Sequence, residues 1–181
     1  MVFDAHSDIW TDVTVRRLRG ETNVFGGRHL ARLRQGGVEG GIFVLWVDPP
    51  HDARHAARTR QLMDCIRAES AESTDFRIVR NEEERKQARR DGVFYIFLGV
   101  EGMACAGEDP SWIDEYYDFG ARHAMLTWNE ANVLGAGALS GEDYGLTALG
   151  KRAARRLQEK GMLLDVSHLN EAGFWDLANL A

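Results

Sequence analysis

The 181 residues carry no excess of positive charge: 22 lysines and arginines stand against 28 aspartates and glutamates, a formal net charge of -6. A protein that grips nucleic acid regardless of sequence needs a basic surface to neutralise phosphates, so that class is excluded. No apolar run approaches the ~20 residues that a membrane helix requires. The opening Met1-Val2-Phe3-Asp4-Ala5-His6 lacks a basic stretch followed by an apolar one, and no signal peptide is expected. Cysteine is scarce. Cys65 and Cys105 lie far apart and suit buried thiols in a reducing cytoplasm better than a disulfide framework. Linkers and low-complexity tracts are also missing. What remains is 44% hydrophobic and 28% charged, enough apolar content to support a core and to argue against disorder over most of the length. These bounds predict one cytoplasmic domain over residues 1–181, with no nucleic-acid or membrane partner.

Short apolar runs alternate with longer helical patterns along the chain. The runs are Met1 to Ile9, Gly40 to Val47, Val93 to Val100, Ala124 to Trp128, and Met162 to Ser167. Near-continuous apolar runs of this length, without polar alternation, suit parallel strands covered on both faces. Between them, Asp52 to Ser70 places Ala56, Ala57, Leu62, Met63 and Ile66 at roughly helical spacing. Asn81 is a predicted N-cap, followed by Glu82, Glu83 and Glu84, with Arg89 and Arg90 at the far end, a distribution that complements the helix dipole. Thr147 to Lys160 reads as a helix stopped by Gly161, and Asn170 caps a last helix. Strands alternating with helices imply βαβ units and a mostly parallel sheet. Five such units fall short of the ~250 residues typical of a closed (β/α)8 barrel, whereas five parallel strands suffice for a doubly wound sheet. The pattern alone leaves both open.

Three places carry residue types suited to chemistry. On the first expected strand, His6 and Asp8 are two apart and would project from one face. An imidazole beside a carboxylate suits a borderline divalent cation such as zinc, or makes a simple hydrogen-bonded pair. Glu101 follows the most apolar run, where a carboxylate is poorly hydrated unless paired, coordinated or reaching solvent from the next loop. Gly99 and Gly102 near it permit close approach. His168 ends Leu163-Leu164-Asp165-Val166-Ser167-His168, either as a structural histidine or as a ligand. In a β/α barrel, alternate strands share interior layers and chemistry collects at the carboxyl-end face. That geometry would bring His6, Asp8, Glu101 and His168 together as a metal site.

The ordered set Phe3-Asp4-Ala5-His6-Ser7-Asp8, Gly99-Val100-Glu101-Gly102, Gly145-Leu146-Thr147 through Gly150, and Gly161-Met162-Leu163-Leu164-Asp165-Val166-Ser167-His168 resembles the membrane (renal-type) dipeptidases. These are the M19 metallopeptidases of the amidohydrolase-like barrels. Gly40-Gly41-Ile42-Phe43 and Leu126-Thr127-Trp128-Asn129 fall where that family has its second and fourth strands. The resemblance implies an α/β fold, the front five βα units of a TIM-type (β/α)8 metal-dependent hydrolase barrel. It implies two divalent metal ions, with zinc expected. His6 and Asp8 would bind the first, His168 the second, and Glu101 would bridge both as the catalytic carboxylate. A hydroxide held between the metals would attack the peptide bond of a small dipeptide. Trp128 and Asn129 are the candidate substrate contacts, although Trp128 stands where some members have a histidine and also suits simple packing at a strand end.

The family's sixth-strand histidine, its carboxylate-binding arginine and its eighth-strand aspartate have no counterpart in these residues. The expectation is therefore a truncated barrel, completed by a missing C-terminal segment or by another subunit such as a second copy. The alternatives are a non-catalytic remnant serving as an interaction subunit, or a related amidohydrolase acting on another small amide or a lactone. His29, His51, His55 and His123 read as surface or structural histidines, and Cys105 as a buried thiol. Glu130 and Asn132 are placed at the pocket mouth, and Arg152 to Arg156 on a solvated helix face.

Overall fold

A computed structural model describes residues 2–49 and 51–180; Met1, where the first expected strand begins, lies outside the described residues. The chain divides into two compact units, Met1–Gly99 and Val100–Ala181.

The first unit opens with β1 (Val2–Ser7) and α1 (Ile9–Arg17), then a π-helical turn (Phe25–Leu30) that runs into α2 (Ala31–Gln35). It continues through β2 (Val38–Trp46), a 3-10 turn (Asp52–Arg54), α3 (His55–Glu72), β3 (Phe76–Ile78), α4 (Glu82–Arg90) and β4 (Phe94–Glu101), whose last two residues enter the second unit. The strands β1, β2 and β4 are neighbours in that order, with β1 parallel to β2, and β3 also pairs in parallel with β4. The core is aromatic. Trp10, Phe25, Phe43, Phe76 and Phe94 are all buried, and their ring centroids lie between 4.8 Å for Phe25–Phe76 and 6.3 Å for Trp10–Phe43. Such tilted and edge-on pairs add to the area each ring removes from water. α4 forms as its sequence predicts: Asn81 Oδ1 accepts the Glu84 amide at 2.8 Å, and Glu84 Oε2 accepts the Arg80 amide at 2.8 Å.

Two expectations for this unit shift. The run Met1 to Ile9 is not one strand, because β1 ends at Ser7 and Asp8 becomes the N-cap of α1. The helix expected from Asp52 starts as an α-helix only at His55, after the 3-10 turn.

α3 is tied to the loop after α1 by two carboxylates. Arg17 donates from Nη1 and Nη2 to the two oxygens of Glu72, each at 2.7 Å, and the Asn23 amide adds a third bond at 2.9 Å. The Arg17 hydrogen bonds, and then the Asn23 amide, hold the Glu72 carboxyl down to about 2 from an ordinary 4.5. A carboxyl depressed in the folded state adds stability above its unfolded pKa, and loses it as pH falls toward the folded value. Glu72→Gln is therefore expected to lower the urea midpoint at pH 6. The gap from the unmodified chain should close between about pH 4.5 and pH 2. A gap that does not change with pH would show that the stabilisation is not ionic.

In the second unit, the end of β4 leads to α5 (Ala104–Glu108), α6 (Ser111–Phe119), β5 (Ala121–Met125), a long loop, α7 (Ala148–Glu159), β6 (Leu163–Asp165) and α8 (Glu171–Ala178). β5 and β6 pair in parallel, His123 to Asp165 spanning the shared register. Met103, Ile113, Tyr116, Met125, Leu126 and Leu157 are among its large buried residues. Asn170 caps α8 as expected, accepting the Gly173 amide at 2.8 Å, and Thr147, expected as the first helical residue, caps α7 by accepting the Gly150 amide at 3.0 Å. The fourth expected strand, Ala124 to Trp128, lies earlier, at Ala121–Met125, and the fifth ends at Asp165 rather than Ser167. In total the described residues contain six strands, not five, because the three-residue β3 is too short to show a pattern. Among the described residues, no helix is long and apolar enough to cross a membrane.

Candidate metal centre

In the first unit, His6 Nε2 lies 3.4 Å from Asp8 Oδ1, with the side chains 35% and 46% exposed. The two meet, but not through strand alternation. β1 stops at Ser7, and Asp8 takes φ -93° and ψ 17° at the helix start. Its side chain makes no capping bond to α1, so the helix does not consume the carboxylate. One turn of backbone thus faces it toward the imidazole. The His6 amide is held in turn by Asp4 Oδ1 at 3.2 Å.

In the second unit, Glu101 is the last residue of β4 and is only 3% exposed. Its Oε1 lies 2.9 Å from His168 Nε2. Gly102 follows at φ 70°, a conformation that favours glycine, and its amide donates to the Met125 carbonyl at 3.1 Å. The chain therefore turns sharply as soon as the carboxylate has been delivered.

His168 comes three residues after β6, on a turn, and has φ 66°. Only Asn23 and His168 among the described non-glycine residues have a positive φ, so this backbone needs support. The support is dense. The His168 carbonyl accepts from the Ala138 amide at 2.8 Å and from Thr127 Oγ1 at 3.2 Å. Just upstream, the Ser167 amide donates to Asp165 Oδ1 at 2.7 Å, and Asp165 Oδ2 meets His123 Nε2 at 2.9 Å. Burial pushes the Asp165 carboxyl up, but the hydrogen bonds from Ser167 and His123 outweigh it and hold the group below the ordinary carboxylate value. Asp165 is thus an ionised brace under the turn that presents His168.

The imidazole of His168 is held on its other side too: Nδ1 lies 3.1 Å from Asn129 Oδ1. A carbonyl oxygen only accepts, so Nδ1 carries the hydrogen and a neutral ring offers its lone pair at Nε2. That lone pair faces a carboxylate oxygen at 2.9 Å. Two lone pairs do not stay that close without a proton shared between the two groups or a metal ion between them. A buried carboxylate and an imidazole whose second nitrogen is engaged by an oxygen are the donor types and outer support that divalent metals use. The residues present fit a metal ion.

The remaining candidates have simpler places. Trp128 is half-buried, its ring centroid 6.4 Å from that of His168. Asn129, a candidate substrate contact, directs its side-chain oxygen at His168. Cys105 is buried with Sγ 3.1 Å from Tyr116 Oη, in keeping with a packed thiol. Asn132 braces its own loop, donating to the Leu126 carbonyl and accepting the Leu134 amide, while Glu130 is exposed. His29 and His123 pair with Asp12 and Asp165 as structural histidines. The roles of Asn129 and Asp165 on His168 were missed. Asp165 sat within the quoted sequence motif, but only its two hydrogen bonds reveal its part.

Comparison with known proteins gives a consistent picture. The family model described as membrane dipeptidase (peptidase family M19) matches residues 1–181. An uncharacterised protein of Acinetobacter calcoaceticus, from the region 3′ of PQQ-III, is 25% identical over 99% of this chain and 67% of its own length. An uncharacterised dipeptidase of Schizosaccharomyces pombe is 25% identical over 87% of this chain and 41% of its own. Among solved structures, dipeptidase AC, a metallopeptidase of family M19, superposes with a TM-score of 0.87 at 25% identity, covering 99% of this chain and 60% of that one. A metallopeptidase from Rhodobacter sphaeroides, liganded with a phosphinate mimic of L-Ala-D-Ala, shares the fold with a TM-score of 0.86 at 24% identity, over 99% and 62%. The present chain spans about three-fifths of the length of these two structures. Its α/β fold is consistent with an incomplete TIM-type barrel.

Proposed function

The chain belongs to the membrane dipeptidase family, peptidase family M19, and on that premise we propose that it serves the hydrolysis of dipeptides at a centre of two zinc ions. His6 and Asp8 would hold the first ion and His168 the second, while Glu101 would serve both. The observation that carries this reading is the buried Glu101 carboxylate 2.9 Å from His168 Nε2, with Nδ1 of the same ring already engaged by Asn129.

When bound, the cations supply acidity to a water molecule and polarise the scissile carbonyl. The chain's own residues do the rest. Glu101 has two oxygens and so can serve two cations at once, which a neutral imidazole cannot. Its near-complete burial keeps competing water from its oxygens, strengthening each interaction it makes. His168 presents a lone pair in a fixed direction because both its ring and its backbone are held. Trp128 offers an apolar wall beside that ring for the substrate's side chain. The small dipeptide is the partner in this reading, and a further polypeptide segment or a second copy of the chain completes the barrel and the site.

The test is native mass spectrometry of the purified chain with zinc supplied, followed by a dipeptide hydrolysis assay on whatever assembly forms. Two metal ions per chain in a defined oligomer that releases free amino acids is the expected result. A chain that stays metal-free and inactive, both alone and with the remaining part of a family barrel supplied, would overturn the reading.

A further inference from the structure

We propose that Asn129 is a positioning residue that sets the tautomer of His168. It would act through the imidazole and not on the substrate, an inference that rests on the metal-centre reading above. The juxtaposition is local and over-determined. Leu139 donates its amide to the Asn129 carbonyl at 3.0 Å, and the preceding amide, Ala138, donates to the His168 carbonyl at 2.8 Å. Two consecutive amides of one loop therefore fix the two backbones whose side chains meet at 3.1 Å.

Gly137 makes that approach feasible. A Cβ there would fall 2.1 Å from the Trp128 carbonyl oxygen and 2.5 Å from the Asn129 carbonyl carbon, so the loop packs against 128–129 more closely than any side chain permits. Its amide also donates to the Glu130 carbonyl at 3.1 Å. Asn129 thus has little freedom to swing toward a ligand, and its Oδ1 is committed to Nδ1 of His168. An acceptor at Nδ1 makes that nitrogen the protonated one and leaves Nε2 as the electron-pair donor facing Glu101. An outer oxygen on a ligating imidazole fixes ring orientation and raises basicity, and its loss typically costs about 10–100-fold in metal affinity.

Two measurements test this. The first is the imidazole nitrogen spectrum of His168 by NMR in metal-free Glu101→Gln, where the facing amide can donate to Nε2 or accept from it, at a pH where the ring is neutral. The Nδ1–H form is expected in that background, with loss of the preference when Asn129→Ala is added and its return when Asn129→Asp is added. The second is zinc binding in competition with a chromophoric chelator. Asn129→Ala should weaken the second zinc by about 10–100-fold, Asn129→Asp should restore or tighten it, and the melting temperature of the metal-free chain should stay unchanged. An Nε2–H form in the Glu101→Gln background would overturn the assignment, since the Asn129 amide would then present its NH2 to the ring. So would an Asn129→Ala variant with unaltered tautomer and zinc affinity. If the unmodified chain binds no zinc yet the Glu101→Gln background shows the Asn129-dependent tautomer shift, the positioning role stands and the metal-centre reading fails.

Discussion

On the proposed two-metal reading, replacing Glu101 with Gln in the completed barrel is expected to reduce bound divalent metal from two equivalents to one or none and to abolish dipeptide hydrolysis, while leaving the metal-free fold intact. Gln has the same size, so the buried site at the end of β4 is neither emptied nor overfilled. Its charge is gone, and one of the two oxygens becomes an NH2 group that repels a cation. Opposite it stands His168 Nε2 at 2.9 Å, a lone pair when Asn129 holds Nδ1. The amide NH2 can donate to that lone pair, so the variant gains a neutral hydrogen bond where the unmodified chain needs a cation. Stability without metal should therefore be equal or slightly higher. Loss of an outer support alone typically costs about 10–100-fold in affinity, and loss of a bridging ligand should exceed it. Metal analysis after dialysis, run beside circular dichroism of the metal-free proteins, separates the two effects. Undiminished metal content in Glu101→Gln would end the bridging assignment.

The ease of finding Glu101 from sequence contrasts with the difficulty of finding its supports, and the reason is physical. Phe94 to Val100 is a continuous apolar run, so a buried strand is legible, and an acid closing it stands out as poorly hydrated. The caps at Asn81 and Asn170 were equally legible, because capping is decided within four residues. His168 was located but misplaced, since its turn is fixed by Ala138 and Thr127, residues tens of positions away. Asp8 was expected on the strand for a similar reason: nothing in Met1 to Ile9 marks where extension gives way to a helix that lacks a side-chain cap. Asn129 was singled out as a substrate contact, but its meeting with His168 was not legible, because the close packing at Gly137 that sets the loop lies outside the motif. α1 and β3 left no sequence signature. Thr11, Val13, Thr14 and Val15 are β-branched residues inside a helix, and Phe76–Ile78 is too short to show a period. Membership of the M19 family was legible because it depended on the order of several short motifs and not on the conformation of any one.

Glu69→Ala is expected to destabilise the first unit by about 3–5 kcal/mol, the range for removing one partner from a buried ionic network. Glu69 lies on α3 in a stretch that reads as an ordinary polar helix position, but it has no exposed surface at all. Its carboxylate accepts Arg17 Nη1 at 2.6 Å, the Val24 amide at 2.9 Å and the Phe25 amide at 2.8 Å. Those two amides begin the turn Phe25–Leu30, and the first amides of a helical segment have no partner within it. A side chain more than forty residues away in sequence thus caps the turn, with a charge that suits its N-terminal end. Phe25 then sits among Trp10, Phe43, Phe76 and Phe94, so a loosened turn also loosens the ring cluster. Arg17 keeps its bidentate bond to Glu72, which confines the loss to the buried amides and one ion pair. Glu69→Gln retains one acceptor oxygen but turns an NH2 toward a donor, so its cost should fall between the unmodified chain and the Ala variant. Urea midpoints at pH 7 measure the series. Against a typical net stability of 5–15 kcal/mol the Ala variant should be visibly marginal. A loss below about 1 kcal/mol would instead place Glu69 among the many ionic contacts that contribute almost nothing.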